Sequence, residues 1–352
     1  MSDLTGQFQE TVRNALAQGA PLDLQGSGSK RFYGREARGT PLALGEHRDI
    51  INYEPKELVL TARCGTPLAE LEALLAAQGQ MLAFEPPHFG DSATLGGTIA
   101  CGFSGPRRPY AGSARDFVLG VRIINGRGEV LRFGGEVMKN VAGYDVSRLM
   151  TGALGTLGLI LDVSLKVLPR PEKEITLVQE RGPDEAIRIM NEWAALPLPL
   201  SAACYDGLHL QVRLSGTPTA VATAHERIGG ESLADSAAFW QDLREQRHGF
   251  FSSEKPLWRL SLPSHASHLS LSGKQFIDWG GAQRWLIPNA DAETVRKAAA
   301  RLGGHATLFR GGDHSGEVFH PLPEPLSVLH RNLKRSFDPD GIFNPGRLYR
   351  DL

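Results

Sequence analysis

Pro86-Pro87-His88-Phe89-Gly90-Asp91-Ser92-Ala93-Thr94-Leu95-Gly96-Gly97 is followed by Gly102-Phe103-Ser104-Gly105-Pro106-Arg107-Arg108 and then by Tyr110-Ala111-Gly112. Small residues dominate one side of this path, so backbone can approach a flat ring and a pyrophosphate closely. Thr94, Ser104 and the N–H groups of Gly96 and Gly97 are candidate hydrogen-bond donors, and Arg107 or Arg108 can face an anion. Consecutive tight turns would use glycine too. Apolar residues interleaved over so long a stretch favour ligand binding instead. Fifteen of the forty glycines fall between Gly90 and Gly158, which localises the demand for close backbone approach.

Three other stretches belong to the same question. Upstream, the apolar Pro21–Leu24 feeds Gln25-Gly26-Ser27-Gly28-Ser29-Lys30. A strand running into such a loop offers several N–H groups in a nest, a way of binding phosphate oxygens. Arg31 stands where a Rossmann fingerprint needs its third glycine, and no GxxxxGK[ST] occurs. Taken alone, the loop is equally a plain surface turn. Downstream, Gly152-Ala153-Leu154-Gly155-Thr156-Leu157-Gly158 enters a strand and suits backbone passing an aromatic ring, or one packed on a neighbour. The tail, Lys334-Arg335-Ser336-Phe337-Asp338-Pro339-Asp340-Gly341-Ile342-Phe343-Asn344-Pro345-Gly346-Arg347, has turns set by Asp-Pro and Asn-Pro, and local rules make it an ordered loop.

Composition bounds the rest. The 352 residues carry 38 Lys+Arg against 39 Asp+Glu, with 41% hydrophobic and 22% charged residues. That is a globular chain of about two domains, with no electrostatic footprint for nucleic acid. No apolar run reaches the ~18 residues of a spanning helix, so no transmembrane segment is expected and the default location is cytoplasmic. Cys64, Cys101 and Cys204 lie far apart without a CxxC, too few for a cysteine-ligated iron–sulfur cluster. GxSxG and HExxH are absent, and His305, His314 and His320 match no common metal-ligand spacing. No metal and no catalytic residue is assigned.

Pattern reading supplies a coarse fold. Strands are expected at Leu42–Leu44, Leu58–Ala62, Phe117–Ile124, Glu129–Phe133 and Leu157–Val167. The second and third of these are separated by a helix capped at Thr66, with Pro67 at its first position and Gly79 as its stop. Asn125-Gly126-Arg127-Gly128 signals a hairpin. From Glu172, hairpins at Asp206-Gly207 and Gly280-Gly281 alternate with helices near 184–195, 218–228, 235–246 and 291–302, an α+β pattern with antiparallel sheet. The expected domains are residues 1–171, 172–330 and a returning segment, 331–352.

The order of these elements resembles the FAD-binding domain of the p-cresol methylhydroxylase (PCMH)/vanillyl-alcohol oxidase superfamily. Within it, Met138–Asp145 with Arg148-Leu149 is similar to a segment of bacterial glycolate oxidase flavin subunits. Leu82–Pro87, Ser104–Pro109, Leu131–Gly135, Leu308–Gly312 and Phe319–Leu322 resemble the smaller, GlcE-type subunits. The implied fold is α+β: a PCMH-type FAD-binding domain of two α/β subdomains plus an α+β cap domain. The resemblance implies that Gly26, Ser27, Gly28, Ser29 and Lys30 hold the FAD pyrophosphate. Pro86, Gly90, Thr94, Gly96, Gly97, Ser104, Gly105 and Gly112 would line the flavin and ribityl chain. Gly152, Gly155 and Thr156 would approach from the other subdomain, and Asn344 would return toward the isoalloxazine. Many members carry a flavin-bonded histidine in the first loop; Ser27, Gly28 and Ser29 here imply non-covalent FAD. Gly102 replaces an asparagine common in the broader family, and the paired-histidine metal site of the larger 2-hydroxyacid dehydrogenases has no counterpart.

The implied function is that of an FAD-binding subunit in a glycolate oxidase (dehydrogenase) complex. Its implied partners are a larger FAD-linked subunit and an iron–sulfur subunit, through which it would reach the inner membrane peripherally. The alternatives are a self-sufficient FAD-dependent 2-hydroxyacid dehydrogenase and a non-catalytic structural subunit.

Overall fold

The computed structural model describes residues 3–135 and 145–352. They form two compact units: one from Met1–Phe103, Ser113–Pro169 and His314–Leu352, the other from Ser104–Gly112 and Arg170–Asp313. The division departs from the linear expectation in two places. Ser104–Gly112 goes with the second unit because its side chains and carbonyls are spent there. The Trp279 indole N–H donates to the Gly105 carbonyl (3.0 Å), Arg108 lies 4.3 Å over the Trp279 ring, and Arg107 pairs with Glu174 at 2.6 Å. The return to the first unit begins at His314 rather than 331. Glu36 N–H donates to the His314 carbonyl, and Arg35 donates to the carbonyl of Gly316.

In the first unit, a helix at Thr5–Gln18 buries Phe8, Val12 and Ala15, one stripe at helical spacing. Strands Leu22–Gln25 and Thr40–Ala43 pair in parallel. A five-stranded antiparallel sheet follows the order Ile50–Glu54, Val59–Arg63, Leu159–Lys166, Val118–Ile124, Val130–Gly134. Leu159–Lys166 is central, and every residue but its last is buried. Its two-sided burial explains the near-continuous apolar run, and the polar exceptions are satisfied: Asp162 accepts from Arg122 (2.6 Å), and Ser164 bonds Thr61 (2.8 Å). The Asn125–Gly128 turn is closed by the Asn125 side chain, whose oxygen accepts the N–H groups of Arg127 and Glu129 at 3.0 Å each.

Two local expectations are corrected. The helix after Val59–Arg63 is Leu68–Ala77, with Pro67 in the cap position and no side-chain cap. The Thr66 hydroxyl instead bridges Asp49, accepting its N–H and donating to its carbonyl, so the oxygen that would cap the helix is taken up in a loop clasp. The tail expected as loop from Lys334 begins inside a helix, Glu324–Phe337. Leu326, Leu329 and Leu333 give it a helical stripe, and Pro325 sits in its first turn, where proline is tolerated.

The second unit is an eight-stranded antiparallel sheet ordered Glu231–Ser232, Lys173–Glu180, His209–Gly216, Leu200–Tyr205, Gly273–Asp278, Gln283–Pro288, Leu257–Ser261, His305–Arg310. Helices Pro183–Ala194 and Pro218–Ile228 close a core of Leu177, Ile187, Met190, Val212 and Val221. Among the described residues, no helix is long and apolar enough to cross a membrane.

Candidate cofactor-binding site

Strand Leu22–Gln25 delivers the Gly26–Lys30 loop to the surface of the first unit. Gly28 takes φ 81°, a left-handed turn that glycine adopts without penalty, and its carbonyl accepts the Arg31 N–H at 2.9 Å. Gly26 lies against the Thr94 hydroxyl so closely that a Cβ would collide with it. Thr94 caps the short helix Leu95–Cys101, accepting from Gly97 N–H at 3.3 Å. The third wall is the 152–156 loop, stitched to that helix by Gly152 N–H to the Ile99 carbonyl (3.0 Å) and Leu154 N–H to the Ala100 carbonyl (2.8 Å). Asn344, returning from the tail, is the fourth.

These walls enclose two adjoining cavities. The first, about 90 Å³, is lined by residues 23–31 with Thr94, Gly97, Ala100, Cys101, Leu154, Asn344 and Arg347. The second, about 60 Å³, shares Gly26, Thr94, Gly97 and Asn344 and adds Leu44, Cys64, Gly96, Gly155, Gly158 and Ile160. One end is therefore rich in loop amides and hydroxyls, the other in aliphatic side chains and bare backbone. Burial pushes the Cys64 thiol up to about 12, so at the apolar end it behaves as a small hydrophobe. The cations at the polar end are already engaged. Lys30 donates to the His88 carbonyl (3.1 Å), Arg31 pairs with Asp23 (2.7 Å), and Arg347 donates to the carbonyls of Arg31 (3.0 Å), Tyr33 (2.6 Å) and Arg35.

Of the expected site residues, the structure brings together Gly26, Ser27, Gly28, Ser29, Lys30, Thr94, Gly96, Gly97, Gly155 and Asn344. Gly90 stands just behind the loop, 3.8 Å from the Ser29 Cβ if it carried a Cβ of its own, and Pro86 is buried outside the lining. Gly152 and Thr156 brace the third wall; the Thr156 hydroxyl donates to the Ala153 carbonyl at 2.7 Å. Ser104, Gly105 and Gly112 belong to the second unit. Met138–Tyr144 lies outside the described residues. The amides of Gly96 and Gly97, expected to face a ligand, are used internally: Gly96 N–H donates to the Cys64 carbonyl at 2.7 Å and Gly97 N–H to Thr94. Sequence reasoning missed Leu154, Ala100, Cys101 and Arg347. Leu154 sat inside a quoted motif, but nothing marks a leucine as left-handed (φ 50°), and an arginine gives no sign that it is buried on carbonyls.

A narrow cleft with a loop-lined polar end and an apolar, glycine-walled end has the chemistry to take a ligand that is anionic at one end and flat and apolar at the other. Residues 4–134 match the family described as FAD binding domain. A solved structure of alkyldihydroxyacetonephosphate synthase shares the fold, with a TM-score of 0.65 at 16% identity over 97% of this chain and 74% of that one. The first unit is thus an FAD-binding domain of the PCMH type. The whole chain is 51% identical over 350 residues to glycolate oxidase subunit GlcE of Escherichia coli (strain K12), covering 99% of each. Glycolate oxidase subunit GlcD of Bacillus subtilis (strain 168) is 32% identical over 161 residues, 45% of this chain and 34% of its own. The chain belongs to the GlcE family of FAD-binding subunits.

Proposed function

We propose that this chain is the smaller flavin subunit of a glycolate oxidase (dehydrogenase) complex that converts glycolate to glyoxylate. In that reaction the hydroxyl proton leaves the substrate and the α-carbon gives up a hydride. Bound FAD supplies the two-electron acceptor. The observation that carries the reading is end-to-end similarity to a GlcE subunit in a chain whose cleft unites the loop, the glycine pair and the returning asparagine. The chain's role is to hold and orient the cofactor, with the phosphates at residues 26–30 and the ring system against Gly97, Leu154 and Gly155. The absence of histidine at Ser27, Gly28 and Ser29 supports non-covalent attachment. Three dispersed cysteines support onward electron transfer through a separate iron–sulfur subunit, beside a larger FAD-linked subunit. On this reading the complex is cytoplasmic and peripheral at the inner membrane through its partner subunits.

Co-expression of the tagged chain with its neighbouring subunits tests this. The expected result is a co-purifying complex that reduces an artificial acceptor with glycolate, and a yellow supernatant when the chain is denatured. Bleaching of the isolated chain's flavin by glycolate would favour a self-sufficient dehydrogenase. A colourless chain that takes up no added FAD would favour a structural subunit.

A further inference from the structure

We infer that Asn344 and the buried Lys334–Asp338 pair behind it form a positioning clamp that sets the spacing of the cleft walls; the inference rests on that cleft being the FAD site. Asn344 is 4% exposed, and its polar atoms reach two walls at once. Its N–H donates to the Leu22 carbonyl (3.0 Å) and its side-chain oxygen accepts the Leu24 N–H (2.8 Å), both on the strand that feeds the 26–30 loop. Its side-chain NH₂ donates to the Leu154 carbonyl (2.6 Å) on the opposite wall. Both bonded residues sit in left-handed backbone, Asn344 at φ 42° and Leu154 at φ 50°. Asparagine tolerates that region; leucine rarely enters it, so Leu154 depends on neighbours to hold it there. Gly155 leaves the space: a Cβ there would stand 2.7 Å from the Asn344 side-chain nitrogen.

Behind Asn344 the grip is repeated with charges. The Lys334 ammonium donates to the Asp338 carboxylate (2.6 Å), the Phe343 carbonyl (2.8 Å) and the Thr156 carbonyl (2.8 Å), so each of its three protons has an acceptor. Asp338 in turn accepts the N–H groups of Phe343 (2.8 Å) and Ile342 (3.1 Å). One buried ion pair thus fixes both the segment ahead of Asn344 and the loop carrying Leu154 and Gly155. Such a pair is a poor source of stability and is well suited to fixing geometry. With all three protons engaged, Lys334 has none left for cofactor or substrate.

The test uses the full chain with three variants. Asn344→Gly removes the carboxamide while keeping a residue at ease with φ 42°. Lys334→Met with Asp338→Asn removes both charges, so no orphan ion is buried. Gly97→Trp fills the cleft directly. The expected result is that the first two fold, bind FAD with a Kd raised about tenfold or more, and show an altered visible circular-dichroism band of the bound flavin. A role confined to stability would lower Tm while leaving Kd and the band unchanged, and that result overturns the clamp. Gly97→Trp separates the two layers. If it keeps wild-type FAD affinity, the cleft assignment itself fails. If it loses FAD while both clamp variants bind normally, only the clamp fails.

Discussion

Gly96 and Gly97 are adjacent, look interchangeable in sequence, and are glycine for different reasons. At Gly96 a Cβ would come within 2.6 Å of the Cys64 Cβ and 3.0 Å of its carbonyl oxygen. Cys64 is only 2% exposed and cannot retreat. Gly96→Ala is therefore an overpacking change, costing about 1–3 kcal/mol, or a fall of roughly 2–12 °C in Tm for a domain of this size class. At Gly97 an added Cβ would meet only the Thr94 hydroxyl oxygen, at 3.2 Å, and the residue lines both cavities. Alanine there gains about 0.5–1 kcal/mol of helix propensity, which offsets the tight hydroxyl contact, so the apo Tm should barely move. If the cleft takes FAD as proposed, the methyl occupies cofactor space, and about 1–3 kcal/mol of steric cost corresponds to a ~5- to ~150-fold weaker FAD Kd. Apo-chain thermal unfolding and FAD titration by fluorescence quenching measure both axes. Gly97→Ala binding FAD as tightly as wild type, with Gly96→Ala unfolding at the wild-type temperature, would refute the reasoning.

Cys101 lines the polar cavity, whereas Cys64 and Cys204 are buried with thiols held well above their ordinary range. N-ethylmaleimide should label Cys101 alone in the apo chain and not when FAD is saturating, as read by peptide mass spectrometry; equal labelling in both states contradicts the placement. Burial holds the His47 imidazole down to about 4, its Nδ1 accepting the Leu4 N–H at 3.2 Å. The native state keeps the ring neutral while the unfolded chain takes up a proton below about pH 6.5, so stability is complete above that pH and roughly 2–3 kcal/mol is lost on descending toward pH 4. Urea midpoints should fall less steeply over that window for His47→Asn than for wild type, and parallel profiles would disprove the assignment. Because Lys30, Arg31 and Arg347 are tied to protein oxygens, FAD Kd should change less than about threefold between roughly 50 mM and 500 mM salt. A steep loss of affinity would mean that a cation, rather than loop amides, carries the phosphates.

What could be read from the sequence follows how local each signal is. Asn125-Gly126-Arg127-Gly128 closes its turn with its own side chain, so four residues suffice to recognise it. The Gly26–Lys30 loop is less self-contained: alone it reads equally as a surface turn, and its surroundings come from Thr94 and the His88 carbonyl, more than fifty residues away. The Ser104–Gly112 excursion was misplaced because its attachment is to Trp279 and Glu174, more than sixty residues away, and no short-range pattern encodes that. Lys334 and Arg347 were passed over for a related reason. A charged side chain is presumed solvated until the acceptors that satisfy it are known, and those acceptors are backbone carbonyls that any residue supplies. The Thr66 cap is absent because two backbone N–H donors, that of Asp49 and those of the first helical turn, compete for one hydroxyl oxygen, and the tertiary one prevails.

The same carbonyl-seeking cations explain how a cleft with six glycines in its lining still holds a shape. Glycine walls allow close approach but resist deformation poorly, since they bring no side-chain packing of their own. Here the rigidity comes from behind. Arg347 gathers three carbonyls of residues 31–35 just beyond the Gly26–Lys30 loop, and Lys334 ties one carbonyl of the opposite wall, that of Thr156, to one of the returning tail, that of Phe343. Each cation is buried, and burial lowers its pKa, so both are held charged at a cost that only a full set of acceptors can offset. Losing one acceptor makes the remaining geometry unfavourable for the ion, which makes each arrangement all-or-none rather than gradually deformable. Bare backbone in front is thus backed by buried charge whose acceptors are all supplied, so the wall's form does not depend on side-chain packing of its own.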